Sequence, residues 1–233
     1  MAITSILNST AGAVRERSHE RRASLFVELM QPSPGSTVLD LGGGDGSFAA
    51  RISRRCSVAV TVADIATTRR TARERYGFDE AALEPEGPLP FDDAAFDIVL
   101  CNSVIEHVTL PGRECLELRL SEREWTRRAY QRQRAFAAEI QRVGRGYFVQ
   151  TPHRAFPIDA HTWLPFTNFL PHETMRRLIP LLDRTWVKKC GVADWHLLDL
   201  AGMRELFPGA DMWVERWLGL PKSIIAYARA GSG

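Results

Sequence analysis

The stretch TVLDLGGGDGSFAARI, Thr37 to Ile52, decides how the rest of the chain is read. An apolar run, VLDL, reads as a buried strand, and SFAARI carries its apolar residues at helical spacing. Between them four glycines, Gly42, Gly43, Gly44 and Gly46, fall within five residues. Glycine is what a chain needs where it must turn tightly and bring its main chain close to a ligand. A strand, a glycine turn and a helix start together form a binding turn.

Three glycine motifs compete for that turn. A phosphate loop needs GxxxxGK[ST], and no lysine follows these glycines. A dinucleotide fingerprint needs GxGxxG or GxGxxA, and Ser47 stands at its last position. The pattern D-x-G-x-G-x-G fits without exception on Asp40, Gly42, Gly44 and Gly46. An acidic residue at the strand end repels a pyrophosphate and suits a cation. S-adenosylmethionine carries a sulfonium and an ammonium and has no phosphate, so Asp40 favours it over NAD. A second strand, SVAVTVADI, ends on Asp64, 18 positions past Gly46. A carboxylate there can accept hydrogen bonds from both hydroxyls of a ribose.

Composition sets wide bounds. The 233 residues favour one large domain over two, and 45% hydrophobic with 25% charged residues is ordinary for a globular protein. Thirty basic against 28 acidic residues give no bulk signal for nucleic acid or an anionic membrane. The cysteines, Cys56, Cys101, Cys115 and Cys190, form no CxxC pair, which argues for reduced thiols rather than a zinc site. The N-terminus lacks the pattern of a secretory signal, and no run approaches the ~20 apolar residues of a membrane span. The expected location is the cytoplasm, with neither membrane nor nucleic acid as partner.

Helical spacing of Leu25, Phe26, Leu29 and Met30 predicts a helix ending at PSPGS, within a helical lead over 1–34. Further strands are read in FDIVLCNS, GYFVQTP, DMWVERWL and KSIIAYARA, the last two as a hairpin-like pair. Helices are read in TTRRTARERYG, in an Arg-rich segment from about Gly112 to Val143, in MRRLIPLLDRTW and in LAGMRELFPG. Strands alternating with helices indicate an α/β domain with a mainly parallel sheet. The segment 153–198, rich in Pro, His and Trp, breaks the rhythm and reads as a cap inserted at the strand ends.

The pieces VLDLGGGDGSFA, VADI, LPFDDAAFDIVLCNSVIEHV and GYFVQTP lie in order between Val38 and Pro152. Together they resemble the class I S-adenosylmethionine-dependent methyltransferases, particularly small-molecule enzymes of bacterial polysaccharide or secondary-metabolite pathways. The resemblance implies a single α/β domain with a Rossmann-like, seven-stranded, mostly parallel sheet. It implies that Asp40, Gly42, Gly44 and Gly46 surround the methionine part of the donor, that Asp64 binds its ribose, and that Asn102 and Ser103 lie near it. S-adenosylhomocysteine would be the product. The pattern departs where an Asp often precedes LPF by four residues. Pro85 stands there, flanked by Glu84 and Glu86.

The remaining features bear on the acceptor. The [DNS]PP[YFW] motif of nucleic-acid amino-methyltransferases is absent after the fourth strand, which favours a small molecule, expected to be a sugar or natural-product hydroxyl. Methyl transfer to a hydroxyl needs alignment and a base, and a His near neutral pKa suits the second task. His153 is the first choice and His161 the second. Glu106 and His107 read as a helix start packed beneath the cap. The alternative is a metal site of Glu106, His107 and His153, with Ser103 where metal-binding members carry a first Glu. No metal is expected. The arginines Arg119, Arg123, Arg127, Arg128, Arg132 and Arg134, interleaved with Glu117, Glu122 and Glu124, read as a solvated ion-pair face. Trp163, Phe166, Phe169, Trp186 and Trp195 read as core or as pocket walls.

Overall fold

The computed structural model describes residues 2–65, 72–111, 114, 120–185 and 191–231. Its centre is a seven-stranded sheet of β1 (Ser36–Leu41), β2 (Val58–Ile65), β3 (Asp79–Leu83), β4 (Ile98–Asn102), β5 (Tyr147–Pro152), β6 (Asp211–Trp217) and β7 (Leu220–Ala228). The spatial order is β3-β2-β1-β4-β5-β7-β6. β1 to β5 run parallel, and β7 joins antiparallel to β5 with β6 outside it. This is the Rossmann-like, mostly parallel sheet that the motif ensemble implies. β3 was not among the strands legible in the sequence. Its residues, DEAAL, lack β-branched or aromatic side chains, and pairing with β2 is what holds them extended.

The central strands are apolar because helices cover both faces. On one side α1 (Ala2–Met30) and α2 (Ser47–Ser53) bury Phe26, Met30, Phe48 and Ile52 against Val38, Leu100, Phe148 and Ile225. On the other, α4 (Glu122–Val143) and α6 (Leu200–Leu206) bury Ala137, Ile140, Met203 and Leu206 against Leu39, Val99, Val149 and Ile224. The short α3 (Ala72–Tyr76) places Ala72 with the first group. Of the helix read over TTRRTARERYG, only this part lies within the described residues.

α4 shows how its sequence sets its ends. Ser121 caps it by accepting a hydrogen bond from the Glu124 amide, and at Gly144 the backbone turns extended. Trp125, Ala129, Gln133, Ala137 and Ile140 form its buried face. Arg127 and Arg128 pair with Glu124, Arg132 with Glu86 and Arg142 with Glu139 on the outer face. That is the ion-pair face expected of the Arg-rich segment; its Glu117 and Arg119 lie outside the described residues. Cys56 and Cys101 are free thiols, with Cys101 buried, whereas Cys115, Cys190 and Trp186 lie outside the described residues.

Between β5 and α6 the chain leaves the sheet. It forms a loop with a 3-10 turn at Thr167–Phe169 and then α5 (His172–Thr185). This is the segment the sequence marked as a cap. Among the described residues no helix is long and apolar enough to cross a membrane.

One polar tie crosses this architecture. Arg22 of α1 is buried, donates to Glu215 of β6 at 3.1 and 3.3 Å, and gives 2.9 Å to the Asn102 side chain at the end of β4. Glu215 is equally buried and also accepts from the Ser223 hydroxyl. Removing one member of a buried ion pair leaves the other charged and unpaired. Arg22→Ala is therefore expected to cost about 3–5 kcal/mol of folding stability. Adding Glu215→Gln should return part of that loss, as read by urea denaturation of the two variants.

Candidate active site

The sheet order reverses between β1 and β4, so a crevice opens beyond their carboxyl ends. The glycine turn lines it. Gly42, Gly44 and Gly46 all have positive φ, the conformation that side chains resist. Space is as decisive as conformation at Gly42, where an added Cβ would lie 2.5 Å from Val104 Cγ2. At Gly43 it would lie 2.5 Å from Asp40 Oδ2. The turn thus wraps directly over the Asp40 carboxyl.

Asp40 is buried, and its Oδ2 has no hydrogen-bond partner among the described residues. Burial pushes its pKa up to about 7, the charges of Asp64 and Asp45 add to this, and a hydrogen bond from Ala49 opposes it. A buried carboxyl left in that condition is complementary to a positively charged group. Asp64 lies at the end of β2, where its Oδ2 accepts from the Gly44 amide at 2.7 Å and its Oδ1 from the Ile65 amide at 2.7 Å. The two carboxylates the motif singled out therefore belong to one turn. On the facing strand, Ser103 adopts a φ of 58° and donates its hydroxyl to Gln150 at 2.7 Å. Asn102 beside it is held by Arg22. Of the carboxylates flanking Pro85, Glu86 is taken up by Arg132.

Beyond Ser103 the chain forms a 3-10 turn, Ile105–His107. Glu106 sits in this short turn rather than stabilising the start of a longer helix, as the sequence suggested. It is buried, and it accepts a hydrogen bond from the Thr151 hydroxyl of β5 at 3.1 Å. The cap closes over this turn. His107 Nδ1 lies 3.0 Å from Asp194, and the His107 ring meets His161 edge to face at 4.9 Å. His161 stacks on Trp195 at 4.3 Å, and its Nδ1 lies 3.5 Å from Asp159. Asp159 is itself buried and accepts from the His161 and Thr162 amides. Burial opposes charge on His107, but the Asp194 hydrogen bond and the nearby Glu106, Asp194 and Asp159 outweigh it and raise its pKa.

This corrects the grouping expected from the sequence. Ligand-capable atoms of Glu106, His107 and His161 all lie within 4.8 Å of one another, and His153 is not one of them. His153 follows β5 towards β7: its amide donates to Lys222, and its ring Nδ1 accepts from the Ala155 amide at 2.9 Å. Burial lowers its pKa, Asp199 opposing and Arg216 adding to the effect. Two imidazoles and a carboxylate at this spacing can hold a divalent ion, and the carboxylates on both Nδ1 atoms are the outer support such ligands use. The same pair of His–Asp contacts can equally hold a proton acceptor in place. Asp194 and Arg22 were not singled out in the sequence, because no local pattern links them to the motifs, whereas Trp195, read there as core or pocket wall, stacks on His161.

Residues 39–120 match the model of a methyltransferase domain family. The chain therefore carries a methyltransferase domain over the segment that runs from β1 to beyond β4. It is 32% identical over 103 residues to an uncharacterized methyltransferase of Mycobacterium sp. (strain JLS), covering 44% of this chain and 41% of that protein. Over 101 residues it is 35% identical to the ubiquinone/menaquinone biosynthesis C-methyltransferase UbiE of Xanthomonas oryzae pv. oryzae (strain MAFF 311018), covering 39% and 40%. The matched segment thus spans about two fifths of the length of these curated relatives. Among solved structures, the N-terminal domain of EvdMO1, crystallised with S-adenosylhomocysteine and D-fucose, superposes with a TM-score of 0.53. It is 16% identical, over 91% of this chain and 82% of that one, a likeness of fold.

The state of Asp40 has a measurable consequence. Its pKa is raised on folding from 3.8 to about 7, so the folded protein binds the proton more tightly than the unfolded chain. The penalty is absent below about pH 4 and grows as pH rises towards 7, reaching on the order of 4 kcal/mol above it. Asp40→Asn is therefore expected to melt several degrees above the unliganded wild type at pH 8. The gap should close as the pH falls towards 4, as followed by calorimetry.

Proposed function

We propose that the protein binds S-adenosylmethionine in the crevice between β1 and β4 and transfers its methyl group to a small-molecule acceptor, releasing S-adenosylhomocysteine. The observation that carries this reading is the buried Oδ2 of Asp40, which has no hydrogen-bond partner among the described residues and lies directly beneath the glycine turn. A donor with an ammonium and a sulfonium supplies the positive charge that this carboxyl lacks. Asp64 would take the ribose hydroxyls, Gly42, Gly44 and Gly46 would let the main chain approach the methionine part, and Asn102 and Ser103 would border it. In this reading the donor's ammonium keeps Asp40 ionised, so donor affinity rises with pH up to about 7 and then levels off. Titration calorimetry with S-adenosylhomocysteine tests it. Asp64→Ala should weaken binding at least tenfold, and Asp40→Asn should weaken it and remove the pH slope.

The acceptor in this proposal is a hydroxyl of a sugar or natural-product intermediate. Methyl transfer is an in-line displacement at a carbon the sulfonium already activates, so the protein must align the acceptor and remove its proton. The His161–Asp159 and His107–Asp194 contacts favour His161 as the base, ahead of His153, whose Nδ1 is spent on its own loop. A metal-assisted version rests on the same cluster, with Glu106, His107 and His161 as ligands. A divalent ion there would polarise the acceptor hydroxyl. His161→Ala is expected to lower turnover at least a hundredfold while changing donor affinity less than about twofold. Turnover is to be read by mass spectrometry with methyl-labelled donor and a metabolite extract, with and without chelator. Inhibition by chelator selects the metal-assisted version. Donor binding without product in any extract would favour a protein or RNA acceptor, or a binding protein that does not turn over.

A further inference from the structure

A cluster of apolar side chains outside the crevice stands clear of the fold at the same end of the sheet. β6 and β7 are joined by a two-residue turn, Leu218–Gly219, with Trp217 paired to Leu220 across it. Because β7 runs antiparallel to β5, this turn lies at the carboxyl end of β5, where the crevice and the cap also lie. Both turn residues have positive φ, 48° and 80°, a geometry that favours Asn-Gly over Leu-Gly. Leu218 nevertheless occupies it and is 81% exposed. The cap repeats the feature. Phe166, at φ 64°, is 63% exposed, and Phe169 and Leu170 beside it are also exposed. Phe156 joins the two parts through an edge-to-face contact with Trp217 at 6.2 Å. Neither tip is explained by packing, since a residue that favours the left-handed region would hold each turn better than Leu or Phe.

The rim is cationic. Arg216 binds the turn itself, donating to the Gly219 carbonyl at 2.9 Å, and Lys222 follows Leu220 with Arg21 close enough to affect its pKa. Arg154 and Arg21 are exposed. The carboxylate beside the turn, Glu215, is buried and already held by Arg22 and Ser223. We propose that this surface docks on an anionic lipid bilayer, with the Trp217–Leu220 turn and the Phe166–Leu170 segment entering the interfacial layer. Aromatic and aliphatic tips that enter the acyl boundary while cations remain among the headgroups are what such an interface favours. A second copy of the chain would set like charges against each other. A bilayer also accommodates protruding tips without needing a shaped socket. Docking there would turn the open end of the sheet towards the membrane, and so towards an acceptor borne by lipid.

Vesicle co-sedimentation tests this without donor or acceptor, so its outcome is separate from that of methyl transfer. The wild type is expected to pellet with mixed phosphatidylcholine–phosphatidylglycerol vesicles, weakly or not at all with phosphatidylcholine alone, and less as salt is raised. The variant Leu218→Asn with Phe166→Asn keeps residues suited to positive φ, so its Tm should equal or exceed that of the wild type. Its vesicle affinity should fall at least tenfold. Failure of the wild type to bind anionic vesicles would overturn the proposal, as would equal binding by a folded double variant. Light scattering that finds a wild-type dimer converted to monomer by the two substitutions would assign the surface to self-association instead.

Discussion

The main chain at Gly42 comes so close to Val104 that no side chain fits between them. That approach, across the seam where the strand order reverses, governs the site. It requires glycine at positive φ after β1, and it lets the turn fold back over Asp40. Covering Asp40 removes its carboxyl from water, and the Asp64 charge then raises its pKa further. The fold tolerates an unfavourable buried group at the position where a cationic ligand would relieve it. The loss of stability and the shape of the turn have one cause.

The cap acts on the other side of the crevice. It is tied to β7 by a hydrogen bond from His153 to Lys222 and to the turn after β4 by one from His196 to Glu106. Gln133 of α4 reinforces it, donating from one amide to the carbonyls of Ile105 and His196. These ties bring Asp159, His161, Asp194 and Trp195 onto a turn that follows β4, some 50 to 90 positions earlier in the chain. The His–Asp contacts are therefore built between the cap and the sheet. Movement of the cap would separate these contacts while leaving the glycine turn and its carboxylates in place.

Much of the fold was legible in short stretches. VLDL and DIVLCN announce central strands because both faces are covered, and the PSPGS break ends α1, whereas the Ser121 cap of α4 lies within the segment read as helical from about Gly112. β3 was not legible, since DEAAL carries no strand signature and depends on β2 for its pairing. The residues of the glycine turn were legible because one short stretch contains them and glycine has few other reasons to recur there. His153 illustrates the limit. It follows β5 directly and resembles a site residue, yet its ring serves its own loop, while His161 reaches the cluster. Eight positions along an irregular segment carry no fixed direction, unlike eight along a helix or strand.

Taken by itself, the sequence determined the α/β class, most of the strands, the glycine turn and the two carboxylates that belong to it. All of these rest on local rules: burial on one or two faces, the conformational freedom of glycine, and the repulsion between a carboxylate and a phosphate. Only the tertiary structure decided which histidines meet, that Glu106 is buried against Thr151, that Arg22 ties α1 to β6, and that Leu218 and Phe166 project beside the crevice. The physical reason is separation along the chain. Contacts between side chains far apart in sequence depend on how whole elements dock. A near-neutral total charge likewise conceals where the cations gather.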